Sequence, residues 1–525
     1  MSKWLAPLIV LLSVTGLKAQ QSTVTPPKLV VSIVVNELKG DYLDYFSSLF
    51  GERGFKRLMN EGLYYYSVEF GFPNLSEASS AASIYTGTYP YYHGITGNKK
   101  YDFSLNREVS IVADNNFMGN YTTDRFSPLS LQASTIGDEL KIASNGKSKV
   151  YSIAPNAAQA IVSAGRYADG AFWLDDYNGK WATTTYYKDL PYFVDRYNST
   201  SSIGNYSDKT WTQSHSHYIG FPYSTRTTSF SYSFPKSDNN RFLKIKQSSL
   251  INSEVTDLAI QFMESNGLGR NVTPDLLALT YYAGNYKFGE NCEEYSFEIQ
   301  DIYYRLDKEL EKLFDTIDKK VGMGNALILL TSSGYYDSLN LLPEGYQPAG
   351  EFHPNRCTAL LNMYLMAVYG QGNWVNAFYQ NQIYLNKKLA EEKQVKWEEL
   401  LRKAAEFVSQ FTGVQDVTTS GQQINNDSER SAYFRRGMYS KLSGDIFVEL
   451  QPGWIIVDEK GNDKKEYRRD NMIPSPLFIY GRNIKKENID RRINVAEIAS
   501  SLSFILRIRP PNACKEFALR EITNK

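Results

Sequence analysis

Lys28-Leu-Val-Val-Ser-Ile-Val-Val-Asn36 is a nearly unbroken run of aliphatic and β-branched residues. A strand with one wet face alternates apolar and polar residues. A continuous apolar run of this length instead predicts a strand covered on both faces, as in a parallel sheet. A helical pattern of Tyr42, Tyr45, Phe46, Phe55, Leu58 and Met59 follows it, and a second apolar run, Asn325-Ala-Leu-Ile-Leu-Leu-Thr331, comes directly after the amphipathic stretch 299–321. Strands alternating with helices predict an α/β fold built on a doubly wound, mostly parallel sheet with helices on both faces. Leu477-Phe-Ile-Tyr480 reads as a late strand and 493–507 as a late helix.

Between about 165 and 249 the composition turns to Tyr, Thr, Ser, Asn and Gly with little helical period, as in Thr183-Thr-Thr-Tyr-Tyr187 and Ser229-Phe-Ser-Tyr-Ser-Phe234. This reads as a β-rich insertion capping the edge of the sheet. The stretch 386–411 is charged and helical by period. There is no internal repeat, and residues 20–525 are expected to form one large domain carrying the insertion.

Residues 1–19 have the three-part pattern of a cleaved secretory signal: Lys3, an apolar run from Trp4 to Leu17, then Leu17-Lys18-Ala19 before Gln20. About 14 apolar residues fall short of the roughly 20 that span a bilayer, so the mature chain is expected to start at Gln20 with no membrane span. Lys+Arg and Asp+Glu both number 57. That balance leaves no net field to attract nucleic acid or an anionic surface. Cys292, Cys357 and Cys514 are too scattered for a disulfide framework or a zinc knuckle and are expected to be small buried hydrophobes.

Several blocks run in one order along nearly the whole mature chain: Val34-Val-Asn-Glu-Leu-Lys-Gly-Asp-Tyr42, Gly54-Phe-Lys-Arg-Leu-Met-Asn-Glu-Gly62, Ala82-Ser-Ile-Tyr-Thr-Gly87, His93-Gly-Ile-Thr-Gly-Asn98, Gly170-Ala-Phe-Trp173, Tyr304-Arg-Leu-Asp307 and Arg509-Pro-Pro-Asn-Ala-Cys514. Together they resemble the alkaline phosphatase superfamily, closest to the bacterial periplasmic phosphate-monoesterases that border on the phosphodiesterase/nucleotide-pyrophosphatase group. The resemblance implies an alkaline-phosphatase-like fold and a periplasmic location in a Gram-negative bacterium. It also implies a Ser or Thr nucleophile between two zinc ions, each held by three Asp or His ligands.

Carried over residue by residue, the resemblance puts the strand-end ligand at Asn36, the nucleophile at Glu77 with the family's nearby His at Ala81, and further ligands at Tyr281, Asn285, Ser333, Gly334 and Asp463. The Lys/Arg clamp for phosphate falls on Asn156 and Ala158, and an Asn that donates to a phosphoryl oxygen is kept at Asn98, which also reads as ordinary turn chemistry after Gly97. All six ligand positions are changed, and only Asp463 offers a carboxylate. The four histidines tell the same story without any position matching: His93 lies in a structural turn, His215 and His217 form at most a weak exposed pair, and His353 reads as a surface residue. The expected function is therefore a catalytically inactive relative without zinc or another cofactor, serving to bind or scaffold a protein or envelope component. The alternative is a phosphatase or phosphodiesterase with a rebuilt site, holding one hard cation such as Mg or Ca on Asn36, Glu77 and Asn285. A relic with no specific ligand is the remaining reading.

Overall fold

The computed structural model describes residues 25–105, 107–206, 208–214, 229–288, 297–334, 349–425, 428–457, 465–466 and 474–524. The leader 1–19 and residues His215, His217, Cys292 and Asp463 lie outside them.

The long strands of the main sheet are β1 (Leu29–Asn36), β2 (Leu63–Glu69), β3 (Val150–Ala154), β4 (Gly170–Leu174), β5 (Trp181–Thr184), β6 (Asp275–Tyr282), β7 (Ala326–Ser332) and β8 (Ser475–Gly481). Their order across the sheet is β2-β8-β7-β1-β6-β3-β4-β5, with short strands extending both edges. The stretch from β7 to β4 is parallel, whereas β8 runs antiparallel to both β7 and β2, and β5 antiparallel to β4. The expected doubly wound, mostly parallel sheet is present, with an antiparallel strand seated inside one half.

Helices α1 (Glu77–Thr86), α2 (Ile136–Ala143), α3 (Ala157–Ala164), α4 (Leu250–Asn266), α5 (Phe297–Lys320), α6 (Pro354–Tyr369), α7 (Trp397–Val408), α8 (Glu429–Gly437) and α9 (Glu497–Leu506) complete the framework. Every residue of β1 is buried. Its side chains alternate between two cores: Val31, Ile33 and Val35 pack with α4 and α5, and Val30 and Val34 pack with α1, α2, α3 and α9. Burying each such side chain contributes roughly 1.5–3 kcal/mol, which is why a strand this apolar takes the centre of a two-sided sheet.

The region 165–249 corrects the sequence reading. It contains β4 and β5, which belong to the main sheet, and among its described residues the hairpin of Asp208–Thr212 with Ser231–Pro235 stands apart as a separate β unit. Gly170-Ala-Phe-Trp-Leu174 and Trp181-Ala-Thr-Thr184 are buried throughout, and the polar Thr residues hid that burial from a pattern search. The larger separate unit lies at 349–457. There Val375–Tyr379, Gln382–Leu385, Ile446–Leu450 and Val414–Thr419 form a four-stranded antiparallel sheet covered by α6 and α7, around a core of its own with Leu361, Leu365, Trp374, Ile383, Leu400 and Val408. The helical stretch 386–411 belongs to it as Lys387–Glu392 and α7. Cys357 is buried as expected, but Cys514 is only half-buried.

Several of the motif blocks are joints. Asp307 on α5 accepts the backbone N–H groups of Gly51 and Phe55, each at 2.8 Å, and a Cβ on Gly54 would stand 2.2 Å from its Oδ1. In the tail, Asn512 and Ser134 exchange two hydrogen bonds of 2.9 Å, and Arg509 bridges the buried Glu139. His93 is fully buried. Its Nδ1 accepts from the Ile95 N–H at 3.1 Å, so Nε2 carries the proton toward Ser83 Oγ, also 3.1 Å away. Burial pushes its pKa down to about 3, leaving a neutral structural imidazole.

Glu254 on α4 is buried beside Tyr197, whose hydroxyl donates to it at 3.3 Å. Burial pushes its carboxyl up to about 7, with Asp257 adding to the rise. Between about pH 4.5 and 7 the unfolded chain releases this proton while the folded one keeps it, so stability falls as pH rises through that window. Thermal unfolding of Glu254→Gln should match the parent near pH 4.5 and exceed it at pH 8. A gap that fails to widen with pH would contradict this assignment.

Candidate functional site

Parallel strands β1, β6 and β7 finish at one edge of the sheet, where open α/β sheets take their ligands. β1 delivers Asn36 there. Glu77 opens α1 directly after a capping box, in which Ser76 Oγ accepts from the Ser79 N–H and Ser79 Oγ from the Ser76 N–H. Its carboxylate therefore sits at the positive end of the α1 dipole. Asn156 is the N-cap of α3, and Gln159 occupies that helix's first turn.

These four side chains form one network. Asn36 Nδ2 donates to Gln159 Oε1 at 2.8 Å and to Glu77 Oε1 at 3.2 Å, and Gln159 Nε2 returns a bond to Asn36 Oδ1 at 2.8 Å. Asn156 Nδ2 donates to Glu77 Oε2 at 2.8 Å. Both carboxylate oxygens thus accept amide protons, and the Asn36 amide is engaged on its oxygen and on both hydrogens. Hydrogen bonds to a charged group contribute about 1.5–3 kcal/mol each, so Glu77 is held tightly. Chemically the arrangement offers a fixed carboxylate with a neutral amide on each oxygen.

The remaining sequence candidates are not in this network. Asn98 lies close by, its Oδ1 accepting the Ala78 N–H of α1 at 2.9 Å, which caps the helix. Ala158 packs against the core, and Ala81 is buried within α1. Tyr281 pairs with Val35 and so shares the sheet face opposite Asn36; its hydroxyl meets Thr256 Oγ1 at 3.0 Å in the first core. The carbonyl of the buried Asn285 accepts the Tyr282 hydroxyl at 2.6 Å. Ser333 Oγ accepts the Glu37 N–H at 3.3 Å. Gly334 has φ 65, and a Cβ there would lie 2.2 Å from the Phe70 ring, so both backbone and space demand glycine.

Two participants escaped sequence reasoning. Gln159 was legible in principle, as a polar residue in the run Ala157-Ala-Gln-Ala-Ile161 one helical turn past Asn156. Glu37, buried with φ 60 and 3.2 Å from Lys287 Nζ, joins residues 250 positions apart and left no local signal. His353, half-buried, stands 3.8 Å from Glu351. Among the described residues no helix is long and apolar enough to cross a membrane.

The profile of the family described as type I phosphodiesterase / nucleotide pyrophosphatase matches residues 30–472. Alkaline phosphatase PafA of Elizabethkingia meningoseptica is 27% identical over the whole of this chain and 99% of its own. Alkaline phosphatase PhoV of Synechococcus elongatus is 28% identical over 93% of this chain and 92% of its own. The crystal structure of wild-type PafA superposes with a TM-score of 0.78 at 26% identity, covering 95% of this chain and 99% of that one. A further PafA structure carries substitutions of a Thr, an Asn, a Lys and an Arg. The Thr and Asn stand as far apart in that chain as Glu77 and Asn98 do here, and the Lys and Arg as far apart as Asn156 and Ala158.

Asn36→Asp would replace a donor by a second carboxylate facing Glu77 and Gln159 Oε1. We expect a loss on the order of 2–4 kcal/mol at pH 8, shrinking as pH falls toward 4 and one of the pair takes a proton. Denaturant unfolding across that range checks it, and a variant as stable as the parent at pH 8 would show the network to be unimportant.

Proposed function

The chain belongs to the type I phosphodiesterase / nucleotide pyrophosphatase family of the alkaline phosphatase superfamily, and we propose that within it this protein is a non-hydrolysing member that binds a protein or another component of the cell envelope. The observation that carries the reading is the closed Asn36–Gln159–Glu77–Asn156 network. Three of its residues, Asn36, Glu77 and Asn156, stand at the positions where the family resemblance expects a metal ligand, the nucleophile and the phosphate clamp. The equal residue spacings in the substituted PafA chain support that matching.

The donor set does not fit two zinc ions. Asn36 is neutral and already bonded through its whole amide, Tyr281 is turned into a core, Ser333 receives a backbone N–H, and Gly334 has no side chain. Among the described candidate positions Glu77 is the one carboxylate available to balance four positive charges, Asp463 lying outside them. Glu77 also brings a negative charge to the position of a nucleophilic hydroxyl. Phosphate-monoester hydrolysis needs acceleration of up to about 10²¹, which a site without metals, nucleophile or clamp does not supply. The leader pattern at 1–19 supports export to the periplasm.

A second reading is favoured by the relatives themselves, which are named alkaline phosphatases and match along nearly the full chain. It is hydrolysis at a rebuilt site, with one hard cation on the oxygens of Asn36, Glu77 and Asn285. In that arrangement the second lone pair of Asn36 Oδ1 would face the cation while the first accepts from Gln159.

Three measurements on the purified mature protein separate the two. The non-hydrolysing reading expects no stoichiometric zinc by elemental analysis and a melting temperature indifferent to chelator. It also expects no saturable vanadate binding by calorimetry, with or without added zinc, magnesium or calcium. Two metal ions per chain, or vanadate binding tighter than about 1 mM, would establish the hydrolase reading instead.

A further inference from the structure

The separate unit at 349–457 forms one wall of a cleft of about 520 Å³ whose other wall includes Pro73 and Asn74, the approach to Ser76 and Glu77. Its volume falls within the roughly 300–1,000 Å³ of small-molecule sites. Gly437 of α8 packs directly on Pro73, where a Cβ would stand 2.9 Å from its Cδ, so the cleft runs between the unit and the loop that feeds the candidate site.

Seven side-chain amides line it, among them Asn381, Gln415, Gln423 and Gln451, together with the aromatic rings of Phe434, Phe447 and Trp454. Each amide both donates and accepts without carrying charge. The one guanidinium in the lining, Arg430, is bound by two carboxylates, Asp416 at 3.5 Å and Glu449 in closer contact. The charges of the described lining residues therefore sum to slightly acidic, which disfavours phosphate, anionic lipid and nucleic acid.

Two acceptors in this lining lack donors among the described residues. Gln423 is almost wholly buried; its Nε2 donates to Thr418 Oγ1 at 2.6 Å, while its Oε1 receives nothing. Asn381 Oδ1 is likewise buried without a donor. Buried carbonyl oxygens left without donors are rare in folded proteins, and both residues line this cleft.

We propose that this cleft binds a neutral oligosaccharide, with the amides exchanging hydrogen bonds with sugar hydroxyls and the aromatic rings covering the C–H faces of pyranose rings. A hydroxyl donates and accepts at once, as an amide does, and a sugar ring has an apolar face beside its polar rim. The edge strand Val414–Thr419 also lines the cleft, so a peptide that adds to it is the competing occupant that the titration must separate from a sugar. The inference deepens the binding role proposed above and rests on it for the use to which the cleft is put. The two are tested with different ligands, so failure here leaves the zinc and vanadate results intact.

The test is calorimetric titration of the full mature chain with hexasaccharides of glucose, mannose, xylose and N-acetylglucosamine, with a neutral hexapeptide and inorganic phosphate alongside. At least one hexasaccharide should bind saturably with a Kd below about 1 mM. Gln415 and Gln451 are exposed, so the Gln415→Ala/Gln451→Ala double variant should keep the parent melting temperature and weaken binding at least tenfold. Phe434→Leu, on α8, provides a second variant expected to weaken it as well. Absence of saturation by every hexasaccharide, binding unchanged in both variants, or binding of the peptide or phosphate alone would each overturn the proposal.

Discussion

The complete burial of β1 is the constraint from which the rest of the molecule follows. A strand covered on both faces must satisfy its backbone sideways, and β1 does so through parallel pairing with β6 and β7 along its length. Parallel pairing brings the ends of all three strands to one edge and requires helical crossovers on both faces. It also leaves Asn36, at the end of an otherwise apolar strand, as a buried polar side chain that needs partners. Gln159 and Glu77 supply them, so the geometry of the site is set by how the centre of the sheet is covered.

What could be read in advance divides along physical lines. β1, β7 and α5 announce themselves because a fully buried strand and a long amphipathic helix each leave an unambiguous period over many residues. Asn36, Glu77 and Asn156 were legible as a group through ordered motifs, and they do meet. β4 and β5 were misread as insertion because Thr183 and Thr184 look like surface residues by composition, although both are buried. The four-stranded unit at 349–457 was missed for a related reason: its short strands are half-exposed, and their pairing joins segments far apart in sequence. Gln159 was overlooked because nothing in a single polar residue says that its partner lies 123 positions upstream.

The molecule separates its polar chemistry into two kinds. In the network around Asn36 both Asn36 amide protons and both Glu77 carboxylate oxygens have protein partners, which holds that part of the edge in place. In the cleft beside the 349–457 unit, acceptors such as Gln423 Oε1 are left over. Satisfied polar networks specify a structure, whereas unsatisfied ones mark where it has been left open to something else.

The position of β8 has a consequence for how the chain folds. Made from residues 475–481, it lies between β2, from the first seventh of the chain, and β7. Until nearly the whole polypeptide has emerged, those two strands have no bridge between them, and half of the sheet stays an exposed edge. Contacts between such distant segments carry a large loop-closure cost before they stabilise anything. The sheet is therefore completed late, and until then the unpaired flanks of β2 and β7 are the surfaces most open to mispairing.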